Sequence, residues 1–217
     1  MSFFHQFKAP QGVYAVLGNA EYSNENGSCD LCHKEKSKRL RDRQYPVFLR
    51  NSFSVLEINH KKINIVGVDD PVEEKSDLKM ALKGLNPRHP TILLAHSPEI
   101  FEEAATYAMD LLLCGHNHGG QIFITKYLRY VLPLDPVLDF LEGFFQEGKT
   151  LMYVSRGIGT SYLPFRLGVK PEITFFSFTN NTNENIRIAQ MNPSNPINPT
   201  SPINRSASEH GGLKNAD

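Results

Sequence analysis

Short apolar runs that stop abruptly at a polar residue are the feature of this 217-residue chain that most restricts its fold. Residues 13–17 end at Gly18-Asn19, residues 91–95 end at His96-Ser97-Pro98, and residues 111–114 end at Gly115-His116. Such runs are too short for helices and suit strands, the more so where they are almost wholly apolar and so buried on both faces. Residues 53–58 and 63–68 alternate at period two around Asn59-His60-Lys61, the pattern of a hairpin. Residues 121–124, 151–155 and 174–178 complete the expected strands. Pro98, followed by Glu99, Glu102 and Glu103, suits the positive first turn of a helix, and a second helix is expected over residues 73–85. Strands and helices recur together, so the predicted class is α/β, or α+β.

Two stretches interrupt this rhythm. Residues 23–44 are polar, and residues 34–43 set six basic side chains against two acidic ones, the mark of a solvated face. Residues 127–145 are apolar for a connection, and burial is the default fate of their Leu and Phe. From residue 180 onward the chain changes character: nine Asn accompany Pro193, Pro196, Pro199 and Pro202 at three-residue spacing. Little apolar surface offsets ordering entropy there, so residues 1–179 are expected to hold the folded domain and residues 180–217 a disordered tail.

Composition excludes several classes. Twenty-three basic residues balance twenty-three acidic ones, so no global field draws the chain to nucleic acid. Three Cys cannot build a disulfide framework, which favours a reducing compartment. No run reaches the ~18 apolar residues of a membrane span, and the first residues lack a signal-peptide pattern. A cytoplasmic location is therefore expected.

The chemistry concentrates just after the strand-like runs. In an α/β sheet the carboxyl ends of the strands form the crevice where ligands bind. Three runs deliver Asn19, His96, His116 and His118 to that edge. Imidazole suits Zn, Fe, Mn and Cu-type ions, and an amide oxygen adds a harder donor. Gly115, Gly119 and Gly120 let the chain turn tightly around His116 and His118. Arg156 and Arg166 are candidate phosphate contacts through their planar guanidinium groups, with structural ion pairs equally open. The Cys29-x-x-Cys32-His33 pattern matches haem attachment, but export is not indicated and no second pair offers zinc spacing, so it is read as incidental. His5, His33, His60, His89 and His210 fall outside the recurring blocks and are given no role.

Four ordered blocks carry a resemblance: residues 12–19 (Gly-Val-Tyr-Ala-Val-Leu-Gly-Asn), 94–98 (Leu-Ala-His-Ser-Pro), 114–121 (Cys-Gly-His-Asn-His-Gly-Gly-Gln) and 155–160 (Ser-Arg-Gly-Ile-Gly-Thr). Together with Gly-Val-Asp-Asp at 67–70 and Pro-Glu-Ile-Thr at 171–174, the chain resembles calcineurin-like metallophosphoesterases of the YkuE/YaeI type. The resemblance implies a four-layer α-β-β-α sandwich with two metals bridged by an Asp and a hydroxide. Asn19, His96 and His116 would then ligate the second metal and His118 the first, with manganese foremost and iron or zinc as alternatives. The implied reaction is two-metal hydrolysis, with in-line hydroxide attack on phosphorus.

Two departures shape the expectation. The family's Asp-x-His and Gly-Asp-x-x-Asp blocks, which supply the other first-metal ligands and the bridging Asp, lie upstream of the Gly-Asn block and are absent here. This matches a sandwich lacking its N-terminal strands, and it leaves an inactive fragment with at most one metal, or with a partner-binding role, as the alternative to an enzyme. The second departure is Ala20, where most relatives carry a His that assists the leaving oxygen. A phosphate leaving group departs as an anion and needs little assistance, so a pyrophosphate is favoured over an alkyl phosphomonoester. The same missing His marks the LpxG-type branch, which resembles this chain and implies UDP-diacylglucosamine, of lipid A synthesis, as substrate. Such a phosphorylated, lipid-linked nucleotide would bring the domain into peripheral contact with the cytoplasmic membrane face. Residues 127–145 would then be a lipid-facing cover and residues 34–43 would lie against acidic headgroups, the alternatives to packed core and solvated face.

Overall fold

The structure is a computed structural model that describes residues 8–22, 46–122, 139–161, 163–178 and 187–191. It divides into two compact units, Met1–Glu172 and Ile173–Asp217.

The first unit is built on a six-stranded mixed sheet. Its strands are β3 (Ser52–Ile58), β4 (Lys61–Gly67), β5 (Thr91–Leu94), β6 (Leu111–Cys114), β7 (Gly143–Glu147) and β8 (Thr150–Val154), in spatial order β3-β4-β5-β6-β8-β7. The four inner strands run parallel, and β3 and β7 close the edges antiparallel. Val66, Leu93, Leu112 and Met152 on these inner strands are fully buried, as a parallel sheet covered on both faces requires. β3 and β4 meet through Asn59 and His60, both with positive φ, so a two-residue turn fixes the register Ile58↔Lys61. The expected hairpin forms, as do the strands expected near 91–95, 111–114, 151–155 and 174–178.

Two short helices pack on this sheet. Ser97 Oγ accepts the Glu99 N–H, and Pro98–Ile100 forms a 3-10 turn that leads into α2 (Phe101–Thr106), as the Pro-Glu pattern predicts. Phe101 and Ala104 enter the core beside Val66, Leu93, Leu112 and Met152. α1 is only Leu78–Ala81, capped by Asp77, whereas a helix was expected over residues 73–85. The hydrogen bonds explain the difference: Asp70 Oδ2 accepts the Glu73 N–H, and Asn51 Oδ1 accepts the Asp77 N–H, so the preceding residues are held in turns.

Residues 121–124 do not form the expected strand where described. Gln121 has φ 53, and Ile122 makes only isolated bridges to Leu167 and Gly168. Of the apolar connection 127–145, the described end supplies Phe140, which stacks edge-on against Phe101 and Phe145, and the edge strand β7. The basic run 34–43 and the Cys29–His33 cluster lie outside the described residues.

A small parallel pair, β1 (Tyr14–Ala15) and β2 (Val47–Phe48), stands over the end of β4. Gly67 permits this approach: a Cβ there would overlap Leu49 Cβ and touch Val16 Cγ1 at 3.0 Å. In the second unit, β9 (Ile173–Ser177) pairs antiparallel with β10 (Arg187–Met191). β10 falls within the segment expected to be a disordered tail, and it is the described part of that segment.

Candidate metal centre

The inner strands finish level with one another. The Val68 N–H reaches Leu94 O, the Ala95 N–H reaches Leu113 O, the Gly115 N–H reaches His96 O, and the Ser155 N–H reaches Cys114 O. The residues that follow each strand therefore emerge along a single edge of the sheet.

Three of the expected ligands converge there. His96 Nε2 lies 3.0 Å from Asn19 Oδ1 and 3.0 Å from His116 Nδ1. The two rings meet edge to face, with centroids 4.9 Å apart. Both separations are hydrogen-bond lengths, and they bring three donor atoms close enough together that they would face one divalent ion. The chemistry of the set, two imidazole nitrogens and an amide oxygen, fits a divalent ion of the Mn, Fe or Zn kind. Burial first, then the neighbouring His116 and His118, push the His96 imidazole down to about 4, so it is neutral with a lone pair to offer at neutral pH.

The supports for these donors are local. Asn19 opens a 3-10 turn, Asn19–Tyr22, in which Glu21 Oε2 accepts the Gly18 N–H at 2.7 Å. The far end of that turn is anchored by buried Tyr22, whose hydroxyl accepts from Arg50 Nη2, while Arg50 grips Asp69 through Nε and Nη2 at 2.9–3.2 Å. Burial and the Asp69 carboxylate raise the Tyr22 hydroxyl to about 12. Gly18 lies flat against the His96 ring, and a Cβ there would sit 2.6 Å from Nδ1. His116 and His118 both hold positive φ, 71° and 51°, strained values for side-chain-bearing residues, and Asn117 Nδ2 ties the turn to Phe140 O.

Among the described residues no group of three His, Cys, Asp or Glu side chains forms a candidate metal cluster, and the His118 ring is engaged by Arg166. Arg166 Nη1 donates to His118 O at 3.0 Å, and its Nη2 lies 3.3 Å from His118 Nδ1. Arg156 pairs with buried Glu172 through Nε at 2.7 Å and Nη2 at 2.6 Å, with Glu142 at 3.6 Å, and the Tyr153 hydroxyl donates to the other Glu172 oxygen. Both guanidinium groups are thus engaged with the protein itself. The Arg50–Asp69–Tyr22 brace escaped the sequence reading. Asp69 did stand out within the Gly-Val-Asp-Asp block, but nothing local joins it to residues 50 and 22.

Known proteins bear out the resemblance. The chain is 37% identical over 129 residues to the metallophosphoesterase YkuE of Bacillus subtilis, covering 59% of this chain and 45% of that protein. It is 33% identical over 187 residues to a metallophosphoesterase of Aquifex aeolicus, covering 82% of this chain and 65% of the relative. It is 26% identical over 217 residues to the UDP-2,3-diacylglucosamine pyrophosphatase LpxG of Chlamydia muridarum, covering 79% and 65%. No family model and no solved structure matches. The chain belongs to the calcineurin-like metallophosphoesterases. It spans between 45% and 65% of the length of the three relatives described.

Proposed function

We propose that this chain is a metal-dependent phosphoesterase domain whose cation rests on Asn19, His96 and His116, with His118 serving a second metal position. The observation that carries the reading is the approach of Asn19 Oδ1 and His116 Nδ1 to the same nitrogen of His96, each at 3.0 Å. When bound, a divalent ion there supplies positive charge that draws density from phosphoryl oxygens and makes a water more acidic. The chain's own part is positioning. The brace behind Asn19, the Gly18 contact behind His96 and the turn behind His116 hold three donors at fixed separation before any ligand arrives, so little reorganisation accompanies binding.

The proposed substrate is a pyrophosphate joined to an amphiphile, in the manner of UDP-diacylglucosamine, the substrate class named for LpxG. Ala20 is exposed beside Asn19 and offers no proton to a leaving oxygen, which suits a leaving phosphate. Ile158, Leu163, Phe165 and Leu167 are exposed on the loop whose carbonyls surround Arg166 beside His118, an apolar surface suited to acyl chains. That loop would also bring the domain to the cytoplasmic face of a membrane. No described helix is long and apolar enough to cross one.

A second reading, a domain that holds one cation without turnover, is favoured by the engagement of the His118 ring with Arg166, whose Nη2 lies 3.3 Å from its Nδ1. Manganese titration by calorimetry, paired with hydrolysis of a diester and a pyrophosphate, separates the two. Binding with turnover, both abolished by His116→Ala, supports the enzyme. Binding without turnover supports the one-cation domain, and no uptake at millimolar manganese contradicts both.

A further inference from the structure

We infer that Arg166 is a positioning residue that clamps the His118 loop to the loop after β8, rather than a phosphate contact. Its Nε and Nη2 close together on Gly159 O, at 2.9 Å and 2.6 Å. Its Nη1 donates to His118 O at 3.0 Å, and Nη2 reaches Arg156 O at 2.6 Å and Gly157 O at 3.2 Å. A guanidinium binds phosphate through a pair of parallel N–H groups. Here the Nε/Nη2 pair already chelates one carbonyl, and the Nη1/Nη2 pair already faces His118 and Arg156. Four backbone carbonyls from two loops therefore share a single cation.

The clamp has a mechanical purpose. His118 sits at φ 51, a left-handed conformation that disfavours a side-chain-bearing residue. A hydrogen bond from a charged donor to its own carbonyl offsets that strain. The held turn also touches the ring's environment: a Cβ on Gly159 would lie 3.4 Å from His118 Cε1, and Arg166 Nη2 is 3.3 Å from His118 Nδ1. Releasing the guanidinium frees the His118 backbone, the Gly157–Gly159 turn and the ring together. Lysine cannot replace it, because one ammonium cannot span both loops. The clamp stands on these distances alone, and its consequence for hydrolysis rests on the reading of His118 as a site residue.

Amide exchange and histidine-ring NMR on the metal-free chain test it. In Arg166→Ala, amides of residues 118–121 and 157–160 should exchange roughly ten- to a hundredfold faster, while β5 and β8 keep their protection. The His118 ring signals should shift or broaden while those of His60 and His89 stay in place. Arg166→Lys should behave like Arg166→Ala, and guanidinium ion added well below denaturing concentration should partly restore the Arg166→Ala signals. Unchanged exchange in both segments, or full function of Arg166→Lys as a clamp, overturns the inference. Should the variants not fold, the unaltered chain still decides: the two segments must open as one unit, and separate opening free energies contradict the clamp. None of these readouts involves a metal, so a failed manganese titration would remove the hydrolase reading and leave the clamp standing.

Discussion

Gly18 shows how narrowly the donors are set. It is buried between Asn19 and the His96 ring, and a methyl group there would press 2.6 Å from Nδ1. Gly18→Ala must therefore push the imidazole off its place. We expect a stability loss of about 1–3 kcal/mol in urea unfolding, together with manganese affinity lower by roughly ten- to a hundredfold. Affinity equal to that of the unaltered chain would mean that His96 is not held by this contact. Ala20 is the complementary case, because it is exposed. Ala20→His should raise hydrolysis of an alkyl diester severalfold and leave a pyrophosphate substrate nearly unchanged, since only the alkoxide needs a proton. Equal gains on both substrates would contradict leaving-group assistance at this position.

At the level of elements, the ends of β5 and β6 were legible because each is an apolar run closed by a histidine. The hairpin was legible because Asn59-His60 sits at the centre of two alternating runs. His60 nevertheless occupies φ 62 without the freedom of glycine. His60→Gly should stabilise the domain by about 0.5–1 kcal/mol in urea unfolding, and a loss would show that the His60 side chain makes a compensating contact. What stayed hidden is long-range. Asn51 Oδ1 accepts from both Asp69 and Asp77, which shortens α1 to a single turn, and nothing near residue 77 announces that partner. The Arg166 carbonyls and the Arg156–Glu172 pair are hidden for the same reason, since a charged side chain looks alike in sequence whether it meets substrate or backbone. β7 was obscured differently: Gly143–Glu147 opens with Phe144 and Phe145, which merge with the apolar stretch before them.

For the molecule as a whole, buried Asp70 and half-buried His96 bend stability against pH in opposite directions. Desolvation raises the Asp70 carboxyl to about 6, above its ordinary value, and its Oδ1 has no hydrogen-bond partner. The folded state thus binds the extra proton, and stability falls as pH rises from about 4 through about 6. His96, lowered to about 4, does the reverse: stability is lost as pH falls from about 6.5 toward 4. Asp70→Asn removes the first effect only. The variant should exceed the parent by about 1–3 kcal/mol at pH 7.5 and by little at pH 4, measured by urea unfolding. A constant difference across that range would contradict a carboxyl titrating in the fold. Convergence on one ion is decided by anomalous diffraction at the manganese edge from crystals soaked in manganese. A peak is expected about 2.1 Å from Asn19 Oδ1, His96 Nε2 and His116 Nδ1; a manganese peak bound elsewhere, with those three atoms still hydrogen-bonded only to one another, would rule convergence out.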